Sequence, residues 1–94
     1  MTENRLRELQ AFCRQYSEKL GKIKEKHSRT ERYKRDIRMI EQTARETNEE
    51  IAVYIIKSVT KGMSYEQIEC SIVNRTKFYE LRREFFRKLD RNQA

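Results

Sequence analysis

Hydrophobic residues near the start of the chain recur every three or four positions, as on one face of an amphipathic helix. Between residues 4 and 26 only Gly21 weakens this pattern, so the spacing predicts one long helix. The stripe covers about three heptads, which fits either packing inside its own domain or pairing with a second chain. Its members are therefore our oligomerisation candidates. They are Leu6, Leu9, Cys13, Tyr16, Leu20 and Ile23.

The hydrophobic pattern stops at His27 and restarts at Tyr33, which predicts a break followed by a second helix. Ser28 and Glu31 have the spacing of a capping box, in which two side chains satisfy the first amide groups of a helix. We expect this helix over about residues 29–46, either antiparallel to the first helix or sharply bent from it. A continuous helix with a shifted phase is the alternative.

The most hydrophobic stretch of the chain, residues 51–59, predicts a central buried helix. Thr47 and Glu50 have capping-box spacing just before it. Gly62 follows it and can take the left-handed conformation that ends many helices. The β-branched residues of this stretch are also common in strands, and we choose the helix because a capping box and a glycine flank it.

Two further helices are predicted at the C-terminal end, and together they have the arrangement of a helix-turn-helix. Ser64 and Gln67 form another capping box, which predicts a short helix over about residues 65–71. Asn74 can cap a last helix that reaches about residue 90. The predicted core comes from the hydrophobic stripes of these last three helices. It consists of Ile51, Ile55, Ile56, Val59, Ile68, Phe78, Leu81, Phe85 and Leu89.

Composition favours an all-α fold with about five helices. The 94 residues include no proline, two glycines and 39% charged residues, which leaves little turn chemistry for strands. This length fits a single domain, in which residues 1–47 would form a helical scaffold or oligomerisation arm and residues 48–94 the helix-turn-helix part. The chain has no apolar run long enough for a signal peptide or a membrane span, so we expect a cytoplasmic protein without a membrane partner.

The formal net charge of +7 attracts polyanions but does not say which kind. Residues 74–94 hold seven basic and three acidic residues. A helix with a hydrophobic stripe on one side and cations on the other can enter the major groove of DNA, with its first residues at base edges and later cations at phosphates. For any single cation, a solvated surface position is the alternative interpretation.

The last helix supplies both kinds of DNA-contact candidate. The base-reading candidates are Arg75, Thr76, Lys77 and Glu80. The phosphate candidates are Lys77, Tyr79, Arg83, Arg87 and Arg91. Arginine can hold guanine with two hydrogen bonds, and glutamate can accept a hydrogen bond from cytosine. Phe86, at the edge of the hydrophobic stripe, is assigned to packing or to a dimer contact.

Cysteine and histidine content gives no support to a catalytic or metal site. Cys13 and Cys70 lack C-x-x-C spacing and His27 is the single histidine, so we predict two reduced thiols and no zinc site. The sequence also lacks a glycine-rich phosphate loop and an H-E-x-x-H motif. We interpret His27 as a helix-end residue rather than a general base, and predict neither an enzyme nor a bound cofactor.

Two stretches resemble known DNA-binding families. Residues 62–68, G-M-S-Y-E-Q-I, are similar to the start of the helix-turn-helix in sigma-factor region four. Residues 73–89, V-N-R-T-K-F-Y-E-L-R-R-E-F-F-R-K-L, resemble the recognition helix of small phage-encoded transcriptional regulators of the ArpU and RinA kind. The resemblance covers about the last third of the chain. This chain departs from it in a turn without glycine at residues 70–74 and at Glu80, where a cation is frequent.

The resemblance implies a transcriptional regulator of the bacterial host cytoplasm that activates late phage genes. By it, residues 74–77 would open the recognition helix. The partners expected are double-stranded DNA, a second copy of the chain and RNA polymerase. Two alternatives stay open: the DNA-recognition subunit of a phage packaging complex, and a helical interaction protein that contacts an acidic partner such as RNA polymerase without binding DNA.

Overall fold

A computed structural model describes residues 1–25 and 30–93, and these two ranges contain helices and no strand. The helices are α1 (Glu3–Arg14), α2 (Tyr16–Lys24), α3 (Glu31–Thr47), α4 (Ala52–Lys61), α5 (Tyr65–Ile68) and α6 (Arg75–Gln93). The all-α prediction is confirmed. The predicted long first helix is interrupted at Gln15, so α1 and α2 together take its place and the count of about five helices holds.

Two predicted helix starts differ from the structure or lie outside it. The proposed capping box at Ser28, and His27 beside it, lie outside the described residues. The capping box at Thr47 is wrong, because Thr47 is the last residue of α3 and its hydroxyl donates to the Thr43 carbonyl oxygen at 2.8 Å. Asn48 takes the extended conformation that a capping residue needs, and its side chain accepts from the Ile51 amide at 3.3 Å.

Three predicted helix caps are confirmed. Gly62 ends α4 in the left-handed conformation with φ of 67°. Ser64 and Gln67 form both hydrogen bonds of the capping box at the start of α5. The Asn74 side chain accepts from the Lys77 amide at 2.8 Å and so caps α6. Helix α5 is shorter than predicted, because Glu69 takes a left-handed conformation, with φ of 58°, directly after Ile68.

The core lies between the inner stripe of α6 and the helices α1, α3 and α4 that pack against it. Every predicted core residue is buried except Ile56, which is half-buried. Phe86 is also buried in this core, so it packs within its own chain. Helix α4 contacts α1, α3, α5 and α6, but it is not buried on all sides as predicted, since Val53 is 61% exposed.

The stripe of the first predicted helix is used inside the chain. Leu9 and Cys13 are fully buried in the core, so their assignment to an oligomer interface is wrong. Leu6 and Tyr16 are partly buried against the same core. Leu20 and Ile23, the last two candidates, are half-buried on α2, which packs against α3. The two predicted parts of the chain therefore share one core.

Helix α2 is held to α3 by a nearly buried ion pair. The Lys19 ammonium lies 2.8 Å from Asp36 Oδ2 and 4.4 Å from the centre of the Phe12 ring. Close by, the Tyr16 hydroxyl donates to Glu41 Oε2 at 2.8 Å. Burial, together with the Glu41 carboxylate, raises the pKa of Tyr16 to about 12. These contacts fix the side of α2 that faces the domain.

Leu9→Ala should lower the free energy of unfolding by about 2–5 kcal/mol, because it opens a cavity in the core. Val53→Ala, at an exposed position, should change it by less than about 0.5 kcal/mol and serves as the control. Urea unfolding followed by circular dichroism measures both values. A Leu9→Ala protein that keeps its stability but loses a dimer, as judged by light scattering, would contradict the internal position of Leu9.

Candidate nucleic-acid interface

Side chains on two flanks fix the rotation of α6 about its own axis. On the α1 side, Arg5 Nε donates to Asp90 Oδ1 at 2.6 Å and Arg5 Nη2 donates to Gln93 Oε1 at 2.9 Å. These bonds join the first helix to the last. Among the described residues, the side chains of α6 that point away from the core are exposed.

The second flank is formed by α3. Lys88 Nζ donates to the Glu46 carbonyl oxygen at 3.0 Å, and Asn92 Nδ2 donates to Thr43 Oγ1 at 2.9 Å. The contacts run in opposite chain directions, so α3 and α6 are antiparallel here. Hydrogen bonds on both flanks and burial of the inner stripe fix the orientation of α6, so the remaining side of the helix faces outward.

That outward face is a row of exposed polar and basic side chains. Its members are Thr76, Lys77, Glu80, Arg83, Arg87 and Arg91. Within residues 1–25 and 30–93, the four cations of this row have no ion-pair partner. At 1.5 Å of helix rise per residue, the row from Thr76 to Arg91 is about 22 Å long. It presents an elongated positive surface along one side of the domain.

The other basic residues of α6 have structural contacts. Arg82 is half-buried, with Nε donating to Ser58 Oγ at 3.1 Å and the guanidinium carbon 5.1 Å from the centre of the Phe86 ring. Burial lowers the pKa of Arg82. Lys88 is held by α3. Sequence reasoning left the role of both residues open, because their hydrogen-bond partners, Ser58 and Glu46, are distant in the sequence.

The turn before α6 is fixed by one tyrosine. The Tyr65 hydroxyl lies 2.9 Å from the Cys70 carbonyl oxygen and 2.6 Å from that of Val73, so its single proton can go to either. Glu69 supplies the left-handed residue. The Tyr65 hydroxyl and the left-handed Glu69 therefore fix a turn that contains no glycine.

Arg75, the first residue of α6, is held by two side chains. Its Nε lies 2.9 Å from Glu66 Oε1 on α5 in an ion pair, and its guanidinium carbon lies 5.3 Å from the centre of the Tyr79 ring. The Tyr79 hydroxyl accepts from the Tyr65 amide at 3.1 Å, which engages a residue predicted to contact phosphate. The pKa of Glu66 is lowered, first by a hydrogen bond from its own backbone amide and then by Arg75.

Sequence reasoning missed Glu66. The available signal was a pair of opposite charges on either side of the predicted turn. Nine positions separate Glu66 from Arg75, and no helical spacing rule covers that interval. Thr76, Lys77 and Glu80 lie exposed next to Arg75, so the structure brings the base-reading candidates together at the start of α6.

In residues 1–25 and 30–93, no cluster of three or more His, Cys, Asp or Glu side chains could hold a metal ion. The helices of that part of the chain are also too short or too polar to span a membrane. No family model, curated protein or solved structure matches this chain. The geometry of α6 is therefore the basis for assigning a function.

Asn74→Ala should lower the free energy of unfolding by about 1 kcal/mol, because it removes the acceptor for the Lys77 amide. Asn74→Ser keeps a capping oxygen and should retain most of the stability. Thermal and urea unfolding measure both variants. Equal losses from the two substitutions would show that the capping bond is not what Asn74 contributes.

Proposed function

We propose that the protein binds double-stranded DNA in a sequence-specific manner, with α6 in the major groove. The supporting observation is the row of exposed cations on α6, which have no ion-pair partner among the described residues. A single α-helix fits the major groove of B-form DNA. Because the inner stripe and both flanks of α6 are occupied, the row is the side available to such a partner.

The two ends of α6 have different roles in this proposal. At the start of α6, Arg75, Thr76, Lys77 and Glu80 are exposed beyond a well-ordered turn, where side chains reach base edges. Farther along, Arg83, Arg87 and Arg91 meet phosphates across the groove. Tyr79 contributes through the position of its ring and its bond to α5 rather than as an independent phosphate contact.

The biological role follows from the resemblance of residues 62–68 and 73–89 to phage regulators. We propose that the bound DNA is a promoter and that binding regulates transcription, with RNA polymerase as a further partner. A homodimer remains a prediction, and its interface would need a surface other than Leu9 and Cys13, which are fully buried. Palindromic half-sites about 34–36 Å apart would be its signature in the bound DNA.

The triple variant Lys77→Ala, Arg83→Ala, Arg87→Ala should bind duplex DNA much more weakly than the unmodified protein. Its affinity should also depend less on salt, since each phosphate contact contributes about 0.9 to the slope of log affinity against log salt. Fluorescence anisotropy with duplexes selected from a random pool, over a range of salt concentrations, measures affinity and slope together.

The matched control is Arg32→Ala, Arg35→Ala, Arg38→Ala, which removes the same charge from exposed positions on α3. It should keep the selected sequence and most of the affinity. If both triple variants lose affinity equally, net charge rather than the α6 row is responsible. Failure of the unmodified protein to bind any duplex, at low salt as well as high, would disprove DNA binding.

A further inference from the structure

We propose that Glu66 and Tyr79 are positioning residues that aim the Arg75 guanidinium at a guanine base. This inference rests on the proposed DNA binding and adds to it the base read by Arg75 and the residues that determine that choice. Glu66 and Tyr79 lie on different helices, α5 and α6, and meet Arg75 from different directions. Neither needs to touch DNA for this role.

Glu66 contacts one nitrogen of the Arg75 guanidinium, which leaves the other two available to DNA. The carboxylate of Glu66 forms an ion pair with Arg75 in which Oε1 lies 2.9 Å from Nε, and among the described residues Nη1 and Nη2 of Arg75 donate no hydrogen bond. The two terminal nitrogens form a planar fork whose spacing matches O6 and N7 on the major-groove edge of guanine. Adenine offers a donor where guanine has O6, so the same fork opposes adenine. With Glu66 beside Nε, the guanidinium therefore presents Nη1 and Nη2 to the DNA, and these two nitrogens can bind guanine.

Tyr79 adds a second restraint, on the plane of the guanidinium. Its ring centre lies 5.3 Å from the guanidinium carbon, within the range of a cation–π contact. The ring is itself held, because the Tyr79 hydroxyl accepts from the Tyr65 amide at 3.1 Å and the ring packs edge-on against Phe78. The long side chain of Arg75 is therefore already restricted in orientation before DNA binds, which lowers the conformational entropy lost on binding.

A contribution to folding is a poor explanation for the Glu66 contact. The two side chains are 65% and 62% exposed, and ion pairs that exposed contribute little to stability. A carboxylate beside a DNA surface also repels phosphates, which weakens binding to all sequences. Glu66 should therefore raise discrimination between bases while lowering non-specific affinity. These opposite effects separate positioning from a merely structural role.

The experiment compares Glu66→Ala with Glu66→Gln. Both remove the same charge, but glutamine keeps an oxygen that can accept from Nε. For the unmodified protein, a duplex pool selection followed by affinity measurements should show a guanine whose replacement by adenine weakens binding by about tenfold or more. Glu66→Ala should reduce that ratio to about twofold and bind unrelated duplexes more tightly. Glu66→Gln should share the second effect and keep most of the ratio.

The free protein gives a test that does not depend on DNA. The Arg75 Nε–H signal in a nitrogen–proton correlation spectrum should move in Glu66→Ala and less in Glu66→Gln. An unchanged signal in both variants would overturn the positioning role. Circular dichroism on the same samples should show unchanged folding, because Glu66 is exposed.

The outcomes with DNA distinguish the two proposals. Binding of a selected site with the same guanine preference in Glu66→Ala would overturn the role of Glu66 and leave DNA binding intact. Equal loss of preference in both variants would show that the charge of Glu66, rather than the contact of its oxygen with Nε, determines the preference, and would also overturn the positioning role. If the unmodified protein binds no duplex, both proposals fail together.

Discussion

The inner stripe of α6 is the packing contact on which the rest of the structure depends. Phe78, Phe85 and Leu89 are fully buried in it, and burial of each such side chain stabilises the fold by roughly 1.5–3 kcal/mol. Helices α1, α3 and α4 all pack against α6, and α4 also packs against α1 and α3. The same packing determines which residues of α6 face outward. Core formation and the placement of the cationic row are thus two results of one helix docking in one rotation.

The helix ends show what local sequence can predict. Gly62, Ser64 and Asn74 act within four residues of themselves, so their spacing alone is sufficient evidence, and all three predictions are confirmed. The capping prediction at Thr47 failed because α3 continues to that residue, and the side chain of the next residue, Asn48, accepts from the Ile51 amide just before α4. The hydrophobic face of the first predicted helix was identified correctly from its periodicity. Periodicity shows which face is apolar, but not whether the same chain or another one covers it.

The candidate nucleic-acid interface also has a part that the sequence predicts and a part that it does not. The outward positions of α6 followed from helical periodicity, and the residues assigned there are exposed except Tyr79, which is half-buried. The contact between Arg82 and Ser58 joins residues 24 positions apart, and that between Glu66 and Arg75 crosses a turn. Such contacts depend on how helices meet in space, which no local pattern encodes. Basic residues of similar appearance in the sequence therefore divide into structural ones and exposed ones only in the folded chain.

The bonds from Arg5 to Asp90 and Gln93 join side chains 85 and 88 positions apart. Contacts of such long range are slow to form, since a long loop must close first. On the ribosome, Arg5 can form these bonds only after α6 has emerged. The aromatic core and the basic row are therefore completed together once α6 has been synthesised. A prematurely terminated chain that lacks α6 has neither, so it cannot compete with the finished protein for a polyanionic partner through that surface.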